Sequence, residues 1–207
     1  MSAAPAGPRR PVPAGSGIFL REFLRDPVAT ASCVPSSRAL ATAALTALPL
    51  EGDPLVVELG PGTGAFTDVL AERLGGRGRH LAVELNPRLA RLLERRHPGL
   101  DVAVAPAADL PALLAERGLG PVDVVVSGLP WAAHPPTSPS LVDVVAGTLT
   151  DDGAFAQFGY VWTRRAAPAR RLRRHLDAAF HDVVTSPPVL ANVPPAFVYT
   201  ARRPRRG

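Results

Sequence analysis

Lysine is absent from this chain of 207 residues, cysteine occurs once, isoleucine once and asparagine twice. All 23 basic side chains are therefore arginine. This bias points to GC-rich codon usage, so an excess of basic residues is not by itself a sign of phosphate binding. The lone Cys33 excludes an intrachain disulfide framework. The five histidines, His80, His97, His134, His175 and His181, show none of the paired spacings of a structural zinc site, and no metal is expected. No apolar run approaches the ~20 residues that span a bilayer; Ala39 to Leu50 is too short and too rich in Ala and Thr. The first seventeen residues lack the apolar core of a secretory signal and read as a disordered leader. A cytoplasmic protein is expected, soluble or peripheral at the inner face of the cytoplasmic membrane.

Charge is unevenly placed. Residues 1–150 carry 13 arginines against 14 acids, whereas residues 151–207 carry 10 against 4. The positive field is local. It resides in Arg164, Arg165, Arg170, Arg171, Arg173 and Arg174, and in a basic tail, 202–207, with Arg202, Arg203, Arg205 and Arg206. An anionic lipid surface attracts such residues at roughly 1 kcal/mol each. RNA phosphate would attract them with comparable salt sensitivity, and a solvated helix face is the third reading.

Against this background stands Val56 to Phe66, VVELGPGTGAF. An apolar strand ends in an acid, three glycines follow at spacing two, and a helical pattern begins. Gly60, Gly62 and Gly64 let backbone approach a ligand that a Cβ would block, and the helix N-terminus offers free N–H groups. Gly60, Gly62 and Ala65 also satisfy the looser dinucleotide pattern. Two carboxylates decide between the ligands. Glu58, at the tip of the first strand, suits an ammonium, which NAD lacks. Glu84, ending a second strand from His80, suits a ribose diol. The pair reads as a site for S-adenosylmethionine, with Pro61, Leu85, Ala108, Asp109 and Ser127 as further cofactor contacts.

The remaining chain alternates strand and helix, predicting a parallel, doubly wound α/β sheet in one domain over 18–201. Strands are expected at Leu55 to Leu59, His80 to Glu84, Asp101 to Val104, Val122 to Ser127, Ala154 to Phe158, Val183 to Ser186 and Ala196 to Thr200. Helices are expected near Ser36 to Leu48, Ala65 to Leu74, Pro87 to Arg95, Leu110 to Arg117, Ser138 to Thr148 and Pro168 to Phe180. Ahead of these, IFLREFLR (Ile18 to Arg25) forms a short amphipathic helix with Phe19, Leu20, Phe23 and Leu24 on one arc. It either lids the cofactor cleft or lies among lipid headgroups. Phe19 and Phe23 are its candidate substrate contacts.

Substrate chemistry belongs at the end of the fourth strand, where Ser127-Gly128-Leu129-Pro130-Trp131 follows VDVVV. A proline turn ending in an aromatic can present carbonyls to an amine and a π-face to a developing cation. That suits N-methylation, in which alignment of the lone pair is most of the catalysis. Tyr160 is the preferred contact on the cleft wall, with Trp131 and His134 as further positioning candidates. Trp162 is another wall candidate. Gln157 and Phe158 read as packing.

Taken in order, FLREFLRDP, VPSSRALA, VVELGPGTG, AVELNP, AADL, VVSGLPW, QFGY and NVPPAFVY resemble the bacterial phospholipid N-methyltransferase family, from about Phe19 to Tyr199. The resemblance implies a class I, Rossmann-like methyltransferase fold, with a seven-stranded, mostly parallel sheet whose last strand is antiparallel. It implies that ELGPGTG binds the amino acid end of S-adenosylmethionine and that the acid after the second strand binds its ribose. It also implies an aminophospholipid acceptor, phosphatidylethanolamine above all, methylated at a membrane surface. Relatives of the family include ribosomal RNA adenine dimethylases with an N-L-P-[YF] turn. Ser127 replaces that Asn and makes nucleic acid an unlikely partner. Two further departures stand out. Pro106 occupies the place of the acid that accepts from the adenine amino group, so that either Asp109 compensates or cofactor affinity is lower, and His134 replaces an apolar residue. A small-molecule methyltransferase and a non-catalytic cofactor-binding module remain the alternatives.

Overall fold

The computed structural model describes residues 36–129 and 139–206. The leader, the helix with Phe19 and Phe23, and Pro130, Trp131 and His134 lie outside the described residues.

Helix α1 (Arg38–Thr46) starts at Ser37, whose hydroxyl accepts from the Leu40 N–H at 3.1 Å. It buries Leu40, Ala41, Ala44 and Leu45, one stripe of the helix. Alternation follows: β1 (Leu55–Leu59), α2 (Ala65–Leu74), β2 (Arg79–Val83), α3 (Pro87–Arg96) and β3 (Asp101–Ala103). A 3-10 turn (Ala107–Asp109) leads into α4 (Leu110–Glu116) and β4 (Val122–Ser127). Beyond the undescribed stretch come α5 (Leu141–Thr148), β5 (Leu149–Tyr160), a second 3-10 turn (Val161–Thr163), α6 (Ala167–Ala179), β6 (Phe180–Thr185) and β7 (Ala196–Pro204).

The strands form one seven-stranded sheet in the order β3-β2-β1-β4-β5-β7-β6. Pairings from β3 to β5 are parallel, and β7 runs antiparallel to both neighbours. Strand order reverses between β1 and β4, so a crevice opens there at the carboxyl ends of the strands. The sheet is covered on both faces, which is why VVELG and VDVVVS read as continuous apolar runs. Val57, Leu59, Leu81, Val83, Val125 and Phe155 face α4, α5 and α6. Val56, Val124, Val126, Ala154, Ala156 and Val198 face α1 and α2.

Register carries one row of residues across six strands: Val83, Leu59, Ser127, Gln157, Tyr199 and Thr185. Residues in register share a face, so this row is apolar on one side of the switch point and polar on the other.

β1, α2 and β4 fall where the pattern placed them. β5 starts earlier, at Leu149 instead of Ala154, because Val122 pairs with Leu149 and Val124 with Ala154, and the polar TDDG is absorbed in that irregularity. β7 extends past Thr200 to Pro204, paired with β6, so Arg202 and Arg203 lie in a strand. α5 begins at Leu141 behind a capping box of Ser140 and Asp143. β6 spans Phe180–Thr185, ahead of the expected Val183 to Ser186.

Candidate active site

Glu58 is 1% exposed, on the sheet face covered by α2. Its Oε2 accepts from Thr67 Oγ1 at 2.8 Å, and His80 Nε2 stands 3.2 Å away. Its Oε1 has no hydrogen-bond partner among the described residues. A buried acceptor left without a donor costs about 1–3 kcal/mol, more when charged. An ammonium supplies both the missing donor and the missing charge. This orphaned oxygen is the structural feature that fits the amino acid end of S-adenosylmethionine.

Glu84 lies just past β2 and is 7% exposed. Its Oε2 accepts from the Gly62 N–H at 3.0 Å and its Oε1 from the Asn86 N–H at 2.8 Å. It ties the glycine loop to the neighbouring strand tip, and each oxygen keeps a lone pair for a ribose hydroxyl. Gly64, in a left-handed conformation, N-caps α2 without a side-chain cap, leaving the first N–H groups of that helix for a carboxylate. Behind the loop, Asp68 receives Arg96 at 2.8 Å and His97 at 2.9 Å. Leu85 and Val104, at the ends of β2 and β3, are 68% and 55% exposed, an apolar surface suited to a heterocycle. Ala108 and Asp109 are exposed in the adjoining 3-10 turn, which Pro106 opens.

The turn that follows β4 is locked against this loop. The Gly128 N–H donates to the Leu59 carbonyl at 2.8 Å, and the Leu129 N–H to Ser127 Oγ at 3.2 Å. A Cβ on Gly128 would stand 2.6 Å from the Gly60 carbonyl oxygen, and one on Gly60 2.4 Å from Leu129 Cδ2. Gln157 Nε2 donates to the Leu129 carbonyl at 3.1 Å and to the Phe158 carbonyl at 2.7 Å. On the other face Phe66 stacks on Phe158 at 6.0 Å, and Phe158 meets Tyr160 edge-on at 5.7 Å. Burial pushes the Tyr160 phenol above its ordinary range, so it stays neutral at physiological pH.

The glycine loop, both carboxylates, the Ser127-Gly128-Leu129 turn and Tyr160 thus gather at the carboxyl edge of the sheet. Thr67, His80 and Gln157 belong beside them and were not legible as site residues. Gln157, read from sequence as packing, is a brace for the turn. The signal for it was a polar residue inside the buried run AFAQF. Trp162 is 47% exposed in the second 3-10 turn. The motifs PSSRALA and NVPPAF meet through the Ser37 N–H, which donates to Asn192 Oδ1 at 2.8 Å.

Gln157→Leu keeps the volume and removes the amide. Turnover is expected to fall about 10–100-fold, since small misplacements at a reacting centre are costly. S-adenosylhomocysteine affinity, measured by calorimetry, should stay within about twofold, because the lost bonds, to the Leu129 and Phe158 carbonyls, touch neither carboxylate nor the glycine loop. A parallel loss of cofactor affinity would refute the bracing role.

No protein-family profile matches the chain. A curated ornithine lipid N-methyltransferase from Singulisphaera acidiphila is 35% identical over 189 residues, spanning 89% of this chain and 94% of that protein. Human methyltransferase-like protein 13, in complex with SAH, superposes with a TM-score of 0.58 at 20% identity, over 80% of this chain and 78% of its own. Aeropyrum pernix fibrillarin with natively bound S-adenosyl-L-methionine gives 0.55 at 19% identity, over 79% and 72%. At these identities the structural likeness speaks for the fold.

Proposed function

We propose that this chain, which belongs to the family of bacterial lipid N-methyltransferases, methylates the headgroup amine of an aminolipid at a membrane surface, phosphatidylethanolamine or a related aminophospholipid. The observation that carries this is the match to a lipid N-methyltransferase over nine tenths of the chain. That relative's name favours ornithine lipid as a second acceptor. Both headgroups join a primary amine to an anion, a phosphodiester in one and a carboxylate in the other.

When bound, S-adenosylmethionine supplies an electrophilic methyl carbon on a cationic sulfonium. Glu58, Glu84 and the loop from Gly60 to Gly64 would hold it. The chain's own residues then have three tasks. The turn at Ser127-Gly128-Leu129 offers carbonyls to the acceptor amine, and Gln157 fixes the Leu129 carbonyl. Phe66, Phe158 and Tyr160 supply apolar and π surface that excludes water and favours a cationic nitrogen. The amine yields a proton to solvent to expose its lone pair, which the turn would aim at the methyl carbon that the bound cofactor supplies.

A lipid interface is supported by apolar side chains on two adjoining segments. Val161 and Trp162 are 38% and 47% exposed, Leu190 and Val193 75% and 70%. The segments are joined where the Val161 N–H donates to the Pro195 carbonyl at 3.0 Å. Among the described residues no helix is long and apolar enough to cross a membrane.

The test is expression in a bacterium rich in phosphatidylethanolamine but lacking phosphatidylcholine, beside an empty vector and a Glu58→Ala control. Purified enzyme is assayed in parallel on ornithine lipid micelles. Headgroups heavier by one to three methyl groups, seen by mass spectrometry with intact protein alone, support the reading. Methylation of ornithine lipid alone moves the acceptor to the second candidate. An unchanged profile from folded enzyme that binds S-adenosylhomocysteine overturns a lipid acceptor.

A further inference from the structure

A groove of about 560 Å³ runs along α6, lined by Arg164, Arg170, Arg173, Arg174, Thr185 and Tyr199. Arg173 is committed within the protein. It pairs with Asp177 at 2.9 Å, donates to Thr185 Oγ1 at 3.1 Å and lies 5.8 Å over the Tyr199 ring. The other three are not. Among the described residues Arg164 makes no ion pair and lies 5.6 Å over the Phe197 ring, Arg170 donates to the Arg165 carbonyl, and the Arg174 guanidinium has neither hydrogen bond nor ion pair.

The tail arginines behave differently. Arg203 pairs with Asp182 at 2.6 Å and Arg206 with Asp151 at 2.8 Å, while Arg202 and Arg205 donate to the Ala47 and Phe180 carbonyls. Codon usage explains arginine in place of lysine. It does not explain why four of them line one groove, where like charges at helical spacing three and four cost a few tenths of a kcal/mol per pair.

The groove and the Ser127-Gly128-Leu129 turn lie along one row of the sheet. Tyr199 and Thr185, which line the groove, continue the row that contains Ser127 and Gln157, so the groove and the turn sit on the same face of the sheet. Ser127 and Tyr199 stand two strand spacings apart, about 10 Å. A headgroup and an arginine side chain together cover that span.

We propose that this groove is the subsite for the oxyanion of the acceptor's own headgroup, phosphodiester or carboxylate, bound by Arg164, Arg170 and Arg174. Arg173 is the positioning residue that fixes Tyr199 and the wall. The proposal rests on the aminolipid reading and adds to it how the acceptor is recognised. Planar guanidinium groups suit the paired oxygens of either anion. Holding the anion here delivers the tethered amine to the turn and discriminates against amines that carry no anion.

The test uses the full chain with Arg170→Gln and Arg174→Gln combined. The control combines Arg91→Gln and Arg95→Gln, exposed arginines on α3. In detergent micelles the groove variant should raise the KM for aminolipid about 10–100-fold, the equivalent of one charge-assisted hydrogen bond. S-adenosylhomocysteine affinity should not move, and the control should match the parent. Phosphatidylethanolamine and ornithine lipid assayed separately tell phosphodiester from carboxylate. A readout independent of turnover is phosphorus NMR line broadening of glycerophosphoethanolamine, expected with the parent and lost in the groove variant, with inorganic phosphate competing weakly. Unchanged KM and unchanged broadening overturn the proposal. So does a variant that loses only flotation with anionic vesicles, which marks a general membrane contact, and so does inorganic phosphate competing as well as glycerophosphoethanolamine. Should the parent methylate no lipid, the functional reading falls alone. The broadening then still decides, its loss in the variant supporting an oxyanion site and its absence from the parent overturning one.

Discussion

Glu58→Gln is expected to weaken S-adenosylhomocysteine binding about 10–100-fold, the size of one lost charge-assisted hydrogen bond, while leaving the fold intact. The side chain keeps its shape, and the Thr67 hydroxyl can still donate to the amide oxygen. What disappears is a buried negative charge whose Oε1 has no donor among the described residues. A buried acceptor without a donor is a burden on the ligand-free fold, and replacing it takes no satisfied hydrogen bond from that fold. The ligand-free Tm should therefore stay within about 2 °C of the parent, a change under ~1 kcal/mol for a chain of this size. Calorimetric titration and a melting curve on the same preparation test both halves. A Tm lower by more than about 4 °C would mean that the carboxylate holds the fold together and that its place at the cofactor end is incidental.

Gly128→Ala is expected to lower kcat/KM about 100-fold, the penalty for a displacement near 1 Å at a reacting centre. The new methyl group would meet the Gly60 carbonyl oxygen at 2.6 Å, and this neighbour is backbone, unable to swing aside. Gly60 is itself held, its N–H donating to the Val83 carbonyl at 2.9 Å. Relief must come by separating the acceptor turn from the cofactor loop, so cofactor affinity falls together with turnover. That distinguishes this lesion from Gln157→Leu, whose lost bonds lie on the turn and on β5 and leave the cofactor loop in place. Gly118→Ala is the control. It forces the same residue type into a left-handed backbone, φ +60°, with nothing within 4 Å, ahead of the amino end of β4 whereas the turn follows its carboxyl end. It should cost about 1–2 kcal/mol of stability and no activity per folded molecule. Equal activity losses in the two variants would show that Gly128 matters only to folding.

The parts of this molecule that were plain in the sequence are those where local chemistry and tertiary role coincide. β1 and β4 are apolar runs closed by glycine turns, and α2 begins where the glycines end. Glu58 and Glu84 were identifiable because a strand tip is a fixed address in a doubly wound sheet. What escaped depends on register. Nothing local distinguishes Thr67 or His80 from neighbours of the same type until β1 lies beside β2 and beneath α2. Gln157 looked like packing because a single polar residue in a strand buried on both faces breaks no period. The two arginine clusters were indistinguishable for the same reason. Only folding shows that Arg203 and Arg206 find Asp182 and Asp151, while Arg164 and Arg174 pair with no acid among the described residues.

The irregular pairing between Val122 and Val124 lies at the opposite end of β5 from Gln157. Gly153 is wedged there, 2.9 Å from Leu149 Cβ if it carried a Cβ of its own. All surplus length in β5 is consumed before Ala154, after which the register with β4 runs unbroken to Gln157. For a lineage of such proteins the two ends of this strand evolve under different rules. Residues gained or lost before Ala154 change the size of a distant bulge and leave the chemistry untouched. A single deletion between Ala154 and Gln157 turns the brace to the other face of the sheet.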